Sequence, residues 1–152
     1  VFVEHPKLGA VCSGGRYDNL ASDDKNKLPG VGLSLGISRI LGFMFAEGKL
    51  AASRPTPTAV LVALPNDEDR PRCYELAGKL RARGVACEVF YAPLKFGKQI
   101  RYAEKKGIPF VLFPSEAGLE IKDIRSGAQS MIDVATWLPP AEDVTVRVER
   151  KL

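Results

Sequence analysis

The feature that most constrains this chain is the alternation of short apolar runs with amphipathic segments between residues 59 and 113. The continuous apolar run 59–64 is typical of a buried strand, and further strands are predicted at 85–91 and 109–113. The spacing of apolar residues predicts one helix after residues 66–69 and another at 95–106. Because strands joined through helices pair in parallel, this region should form an α/β sheet with helices on its faces.

The two predicted helices have apolar inner faces and glycine stops. The inner faces are formed by Cys73, Leu76, Ala77 and Leu80 in the first helix and by Phe96, Ile100 and Ala103 in the second. Gly84 and Gly107 end these helices. Residues 119–125 and 128–134 then predict a β-hairpin, followed by a helical turn at 135–138 in which Trp137 covers the core. The C-terminal region should therefore be a mixed sheet of about five strands flanked by helices.

Small residues and two prolines at 51–58 mark a short, stiff linker, so we place a domain boundary between residues 54 and 55. Residues 1–54 predict a strand, a glycine-rich turn, a polar loop at 21–27, a strand at 31–35 and a helix at 37–47. This set is too small for its own core and is expected to form one edge of a larger sheet. The chain begins in a strand-like pattern, Val1 to Glu4, without an initiator Met, so we interpret it as a piece of a longer protein. We expect proteases to cut first near Arg54 or in the loop at 23–27.

The composition excludes several classes of protein. Hydrophobic residues make up 45% and charged residues 26%, an ordinary globular mixture, and no apolar run is long enough to cross a membrane. Three cysteines without metal-site spacing and a single histidine, His5, indicate reduced thiols in a cytoplasmic protein without a metal site. The net charge of +4 is too small to prove nucleic-acid binding by itself.

The first candidate ligand-binding segment spans residues 12–20. Gly14 and Gly15 allow a ligand to approach the backbone closely. Arg16 and Tyr17 add a positive charge and a hydroxyl group. The alternative is a tight turn that carries a surface ion pair between Arg16 and Asp18.

The second candidate segment spans residues 30–40. Glycines alternate along a predicted strand, and Gly36 stands at the strand-to-helix turn. Arg39 lies in the first turn of the helix, where anions bind and where a guanidinium suits phosphate. The alternative is a glycine-packed strand with an arginine on the helix surface.

Together the two segments resemble signatures of class II aminoacyl-tRNA synthetases, and specifically of the histidyl-tRNA synthetase family. Residues 14–18, Gly-Gly-Arg-Tyr-Asp, are similar to a histidine-specific signature, and residues 30–39 are similar to motif 3. Ser38 departs from that motif, which usually has an acidic residue here. The resemblance covers essentially the whole chain, and it implies that residues 1–54 are the closing edge of the family's antiparallel catalytic domain. It implies that Gly36 and Arg39 bind ATP, with Arg39 catalytic, and that the histidine and adenylate pocket is lined by Gly14, Gly15, Arg16 and Tyr17.

The resemblance also implies a function for the parent protein. This family activates histidine with ATP and Mg²⁺, transfers it to tRNA(His), and forms homodimers. The family's other catalytic motifs would lie upstream of Val1, so this chain alone is expected to be inactive and to need no cofactor. Two alternatives stay open: a synthetase-like paralogue that binds RNA or regulates without catalysis, and an interaction domain without an RNA role.

The predicted helix at 95–106 carries the clearest basic surface. Its five Lys and Arg residues oppose one Glu, so its local charge of +4 equals that of the whole chain. Cations near aromatic residues, here Tyr91 and Phe96, suit unstacked RNA bases, although a solvated helix face is the alternative. The C-terminal domain of class IIa synthetases reads the anticodon. The resemblance therefore implies an anticodon-binding surface, for which the candidates are Lys95, Lys98, Gln99, Glu116 and Arg125.

Overall fold

The computed structural model describes residues 4–5 and 8–151, so most of the strand-like pattern of Val1 to Glu4 lies outside the described residues. The chain divides into two compact units, with the break between Ala51 and Ala52, and from Glu149 it belongs to the first unit again. The break therefore falls slightly before the boundary expected from the linker. The second unit also ends earlier than that boundary implied, because the last residues return to the first unit.

In the first unit, β1 (Cys12–Tyr17) pairs antiparallel with β2 (Gly30–Leu35), and α1 (Ile37–Ala46) follows. The glycine-rich turn predicted at Gly14 and Gly15 is wrong, because both residues lie within β1, opposite Leu33 and Gly32. A Cβ atom on Gly14 would collide with the carbonyl oxygen of Gly32. These glycines therefore permit close strand pairing, and they do not form a turn.

The second unit contains one five-stranded sheet in the order β5-β4-β6-β7-β8. The strands are β4 (Val60–Val62), β5 (Cys87–Val89), β6 (Phe110–Ser115), β7 (Gly118–Asp123) and β8 (Gln129–Ile132). The first three are parallel, and β7 and β8 add antiparallel pairs. Helices α2 (Arg70–Ala82) and α3 (Phe96–Lys106) make the crossovers. Because these crossovers run in opposite directions across the sheet, right-handed connections place the helices on opposite faces. The predicted mixed sheet flanked by helices is confirmed.

The inner face of α2 is confirmed, because Cys73, Leu76, Ala77 and Leu80 are all buried. The inner face of α3 differs from the prediction. Ala103 is buried, but Phe96 is 41% exposed and Gln99 is fully buried in its place. The amide of Gln99 can be buried because it forms hydrogen bonds with main-chain groups of two other segments. Both helices end at glycines with positive φ, as expected for Gly84 and Gly107.

The C-terminal segment has a single turn, at 133–137, which overlaps the helical turn predicted at 135–138. The N–H groups of Thr136 and Trp137 donate to the Asp133 carbonyl and form a turn, and the helix α4 (Ala141–Val144) begins only after Pro140. Trp137 covers the core as predicted, with its ring edge-on to Phe110 at 5.5 Å. The last strand, β9 (Val148–Arg150), pairs with β3 (Leu50–Ala52). Within the described residues, the structure has no helix of the length and apolarity needed to cross a membrane.

Candidate nucleic-acid interface and nucleotide pocket

The carboxyl edge of the parallel strands brings together three of the predicted anticodon residues. Because β4, β5 and β6 are parallel, their carboxyl ends and the N-termini of α2 and α3 lie along one edge of the sheet. Lys95 and Lys98 lie at the start of α3, and Glu116 lies in the turn between β6 and β7 at the same edge. The rings of Phe96 and Phe113, 5.1 Å apart, connect the first turn of α3 to the end of β6.

The outer surface of α3 is an exposed row of cations, formed by Lys95, Lys98, Arg101 and Lys105. Across the part of the chain that the structure describes, none of these four side chains forms an ion pair. Lys79 on α2 differs, because its Nζ atom lies 2.7 Å from the carboxylate of Glu75. Cations without acidic partners are free to attract a polyanion such as RNA.

Gln99 is not part of this surface, which corrects the prediction from the sequence. Its side chain is fully buried. Its Oε1 atom accepts from the Leu64 N–H at 2.9 Å, and its Nε2 atom donates to the carbonyls of Leu64 and Leu94 at 2.8 and 2.6 Å. Gln99 therefore holds the end of β4 and the loop before α3 in place, and it presents no group to solvent.

Arg125 also lies apart from the other candidates. The register pairs Asp123 with Phe110 at the amino end of β6, whereas Ser115, next to Glu116, ends the same strand. A strand of this length separates the two edges by about 17–20 Å, at roughly 3.3 Å per residue. Arg125 lies at the Asp123 edge, so it cannot join Glu116 in one cluster that reads a single base.

The guanidinium group of Arg125 is engaged by acidic side chains of the second unit. Its Nη1 and Nη2 atoms donate to the buried carboxylate of Asp143 at 3.1 and 2.7 Å. Hydrogen bonds to Asp143 and then to Asp123 raise the pKa of Arg125. Burial raises the pKa of the Asp123 carboxyl group, but hydrogen bonds from Arg125 and from the Ser126 N–H outweigh burial and lower it. Arg125 therefore contributes to the packing of this edge.

The structure adds a groove that the sequence did not reveal. A cavity of about 270 Å³ lies between α3 and the strands β6, β7 and β8. It is lined by Phe96, Ile100, Phe113, Glu120 and Gln129. The Nε2 atom of Gln129 donates a hydrogen bond to the carboxylate of Glu120. From the sequence, the alternation along β7 predicts that Glu120 lies on the face opposite Ile121. That Glu120 also lies near α3 depends on the order of the strands in the sheet.

In the first unit, Gly36 and Arg39 lie together at the start of α1. The Gly36 N–H donates to the Val11 carbonyl at 2.7 Å, and the Nη1 atom of Arg39 donates to the Ala10 carbonyl at 2.7 Å. A pocket of about 170 Å³ lies beside both residues, between Ser13 and Ser34. The remaining guanidinium N–H groups of Arg39 and the first turn of α1 are suited to bind an anion such as phosphate.

The four residues expected to line the histidine pocket are not all on one side of the sheet. Gly14 and Tyr17 line a second pocket of about 280 Å³, where a Cβ atom on Gly32 would lie only 2.8 Å from the Tyr17 ring. Arg16 lines a different pocket, because its side chain points to the face opposite that of its neighbour Tyr17. The Nε atom of Arg16 lies 2.7 Å from the Asp18 carboxylate. This is the surface ion pair between Arg16 and Asp18 that was the alternative to a ligand-binding role.

The described residues contain no cluster of three or more His, Cys, Asp or Glu side chains that could hold a metal ion. The class of the second unit follows from comparison with known families. Residues 59–138 match the anticodon binding domain family, and this match covers more than half of the chain. The chain therefore belongs to the anticodon binding domain family.

Comparison with individual proteins narrows the relationship. The chain is 50% identical to the histidine–tRNA ligase of Micrococcus luteus, over 99% of this chain and 34% of the relative. It is 49% identical to the histidine–tRNA ligase of Cutibacterium acnes, over 92% of this chain and 32% of the relative. The crystal structure of histidyl-tRNA synthetase from Nostoc sp. PCC 7120 matches 84% of this chain and 32% of that chain, with 33% identity and a TM-score of 0.54.

The chain thus spans about a third of the length of the curated relatives that it matches. The resemblance to histidyl-tRNA synthetases drawn from residues 14–18 and 30–39 is confirmed.

Proposed function

We propose that this chain is part of a cytoplasmic histidine–tRNA ligase, and that its second unit binds the anticodon loop of tRNA(His) at the carboxyl edge of the sheet. The observation that carries the proposal is the row of exposed, unpaired cations on α3 of a domain that belongs to the anticodon binding family. Lys95 and Lys98 hold backbone phosphates. Glu116, exposed in the adjacent β6–β7 turn, contacts the edge of an unstacked base.

The parent protein activates histidine with ATP and transfers it to tRNA, and it acts as a homodimer. Arg39 holds a nucleotide phosphate, because its guanidinium is exposed and keeps N–H groups beyond the one that Ala10 accepts. Gly36 lies beside it, and Gly14 with Tyr17 lines the neighbouring amino-acid pocket. Mg²⁺ would be coordinated by the phosphates and by groups outside the described residues. In the whole protein, Arg39→Ala should lower histidine-dependent pyrophosphate exchange by at least ~100-fold.

A salt titration tests the RNA interface. The chain and its variants are titrated with a fluorescent anticodon stem-loop of tRNA(His) at several salt concentrations, and the dissociation constant is measured by anisotropy. Each phosphate of a single strand that is neutralised contributes about 0.7 to the slope of log affinity against log salt. Lys98→Ala should therefore weaken binding and flatten the slope by about 0.7, and adding Lys95→Ala should roughly double that change.

Lys79→Ala is the matched control, because it removes one lysine from an exposed helical position on the other face of the sheet. It should leave both affinity and slope nearly unchanged. If Lys79→Ala and Lys98→Ala weaken binding equally, the stem-loop responds only to net charge and the proposed interface is wrong. Glu116→Ala should reduce the preference for the histidine anticodon over a mismatched loop without changing the salt slope.

A further inference from the structure

We propose that Asp143 is a positioning residue, which anchors the returning segment of the chain, residues 141–151, to the linker so that the two behave as one ribbon. This inference rests on the proposed function, because it concerns how the anticodon-binding unit is joined to the rest of the synthetase. It starts from two observations: a buried carboxylate between two arginines, and a short pair of strands with little burial of its own.

Three segments of the second unit meet at Asp143, whose side chain is only 8% exposed. Its carboxylate oxygens accept from the Nη1 and Nη2 atoms of Arg125, after β7, at 3.1 and 2.7 Å. Arg54, in the linker, donates from Nη1 to the Asp143 carbonyl at 2.7 Å, and the same atom lies 3.9 Å from the carboxylate. The Arg125 guanidinium lies over the ring of Phe110, a core residue, at 5.3 Å. This Asp143 cluster, formed by Arg54, Arg125 and Asp143, therefore ties the linker and α4 to the core.

The cluster needs a carboxylate at position 143. A carboxylate has only acceptors and can serve two guanidinium groups, whereas an amide would turn an NH₂ donor toward one of them. Without the carboxylate, two positive charges would also face each other in a place where the Arg54 side chain is only 10% exposed. Asp143→Asn therefore keeps the side-chain volume but should loosen the attachment of α4.

The segments that depend on this anchor lie next to the two crossings between the units, at 51–52 and 148–149. There β3 and β9 pair, with three residues each, and every residue of β9 is exposed. The Ser53 N–H donates to the Arg147 carbonyl at 2.9 Å, and the Arg147 N–H donates to the Ser53 Oγ atom at 3.1 Å. Because a two-stranded ladder of this size is marginal by itself, it requires the Asp143 cluster to keep the two segments side by side.

Hydrogen exchange of the full 152-residue chain, followed by mass spectrometry of its peptides, tests the anchor. In Asp143→Asn, the amides of residues 50–53 and 147–151 should exchange at least about tenfold faster and by the same factor, because each segment is the partner of the other. Amides of β4 and β6 should keep their protection. Glu142→Gln is the matched control, because Glu142 is exposed on the same helix and its replacement changes the charge equally. It should leave exchange unchanged.

Arg125→Lys tests the same anchor without removing the carboxylate. It keeps the positive charge but loses the paired hydrogen bonds to Asp143. Because the Arg125 side chain is 53% exposed, this variant should fold. It should speed exchange in both segments by roughly threefold or more, on the scale of a lost hydrogen bond. If Asp143→Asn does not fold, this result decides.

In the whole protein, Asp143→Asn separates positioning from binding and from histidine activation. Stem-loop affinity should not change, because Asp143 contacts Arg125, at the edge opposite Lys98. Histidine-dependent pyrophosphate exchange should not change, because the pocket beside Arg39 does not include Asp143. The kcat of tRNA charging should fall about tenfold at an unchanged KM for tRNA, since a small displacement of a bound substrate slows its reaction strongly. Glu142→Gln should leave charging unchanged.

Three outcomes would overturn the anchor: unchanged exchange in the folded variants at Asp143 and Arg125, faster exchange in only one of the two segments, and equal effects in Glu142→Gln. Unchanged charging, or an equal fall in charging and in pyrophosphate exchange, would show that Asp143 is not a positioning residue. If the wild-type chain binds no stem-loop, or the whole protein does not charge tRNA, the proposed function is wrong. Hydrogen exchange would still decide whether Asp143 joins the two segments.

Discussion

Several arginine side chains stabilise the second unit by donating to main-chain carbonyl groups of distant segments. Arg83, at the end of α2, donates to the carbonyls of Val134 and Trp137 at 3.0 and 2.6 Å and to that of Thr136 at 3.0 Å. These bonds hold the turn after β8, in which Trp137 covers the core. A planar group with five donors suits this arrangement, and lysine could not reproduce it.

Replacement of Arg83 should destabilise the second unit. Arg83→Ala should lower the free energy of unfolding by about 2–3 kcal/mol, because three carbonyl groups lose a charged donor. Arg81→Ala is the control, since Arg81 is exposed and donates to a single carbonyl, that of Cys87 at 2.9 Å. It should cost less than about 1 kcal/mol. Urea denaturation followed by circular dichroism measures both values, and equal losses would contradict this role for Arg83.

A second residue-scale prediction concerns Tyr102. A hydrogen bond to Glu88, with a smaller effect of burial, raises the pKa of Tyr102 to about 12. Because this value exceeds the roughly 10 of an unfolded tyrosine, the neutral phenol stabilises the fold fully below about pH 10. The contribution is lost as the pH rises through about 12. In an ultraviolet titration of phenolate, Tyr102→Phe should remove the ionisation step near pH 12, and Tyr91→Phe should keep it. A step that survives in Tyr102→Phe would contradict the assignment.

At the scale of the element, α2 offers two glycines with opposite roles. Gly78 lies within the helix on an exposed position, where an added Cβ atom would meet no atom within 4 Å. Gly84 follows the helix with φ of +80°, a conformation that side chains with a Cβ atom rarely adopt. The same change, Gly to Ala, should therefore act in opposite directions at the two positions.

Gly78→Ala should raise the free energy of unfolding by about 0.5–1 kcal/mol, because alanine favours the helix interior. Gly84→Ala should lower it by roughly 1 kcal/mol, because the left-handed conformation is strained for alanine. Thermal unfolding of both variants gives the two values. A gain in stability in Gly84→Ala would contradict the role of Gly84, and a loss in Gly78→Ala would contradict that of Gly78.

At the scale of the whole molecule, the linker is more strongly held than its composition suggests. The Arg54 side chain is only 10% exposed and donates to the carbonyls of Thr56, Pro57 and Asp143. The expectation of an early proteolytic cut near Arg54 therefore changes. The loop at 21–27 is exposed except at Ser22 and remains the favoured site.

Limited digestion with the nonspecific protease proteinase K, followed by mass spectrometry, tests this view. The first cut should fall within residues 21–27, and the linker at 53–58 should stay intact. Arg54→Ala should add an early cut in the linker, because three carbonyl groups lose their donor. Arg16→Ala, which removes an exposed surface pair, should leave the linker resistant. Early cutting of the wild-type linker would contradict the role of Arg54.

The sequence alone determined the order of the elements from β4 to β8, the mixed sheet, the C-terminal ends of α2 and α3 and the family. These features follow from local chemistry: apolar spacing reports the period of a helix or strand, and glycine allows the positive φ that ends a helix. The signature at residues 14–18 was likewise readable because its residues are adjacent. The interpretation of Gly14 and Gly15 as a turn is nevertheless wrong, because these glycines allow β1 to pair closely with β2, and that pairing is not visible in the local sequence.

Tertiary structure decided which residues lie together at the site. Helical spacing favours the aromatic Phe96 in the core, but Gln99 takes the buried position because the main chain of Leu64, 35 residues away, and that of nearby Leu94 supply its hydrogen-bond partners. Strand register separates Arg125 from Glu116, although only a hairpin strand lies between them. The groove at Phe113, Glu120 and Gln129 exists only because three strands and α3 meet there. Partners and register are long-range properties, and the spacing of residues along the chain does not contain them.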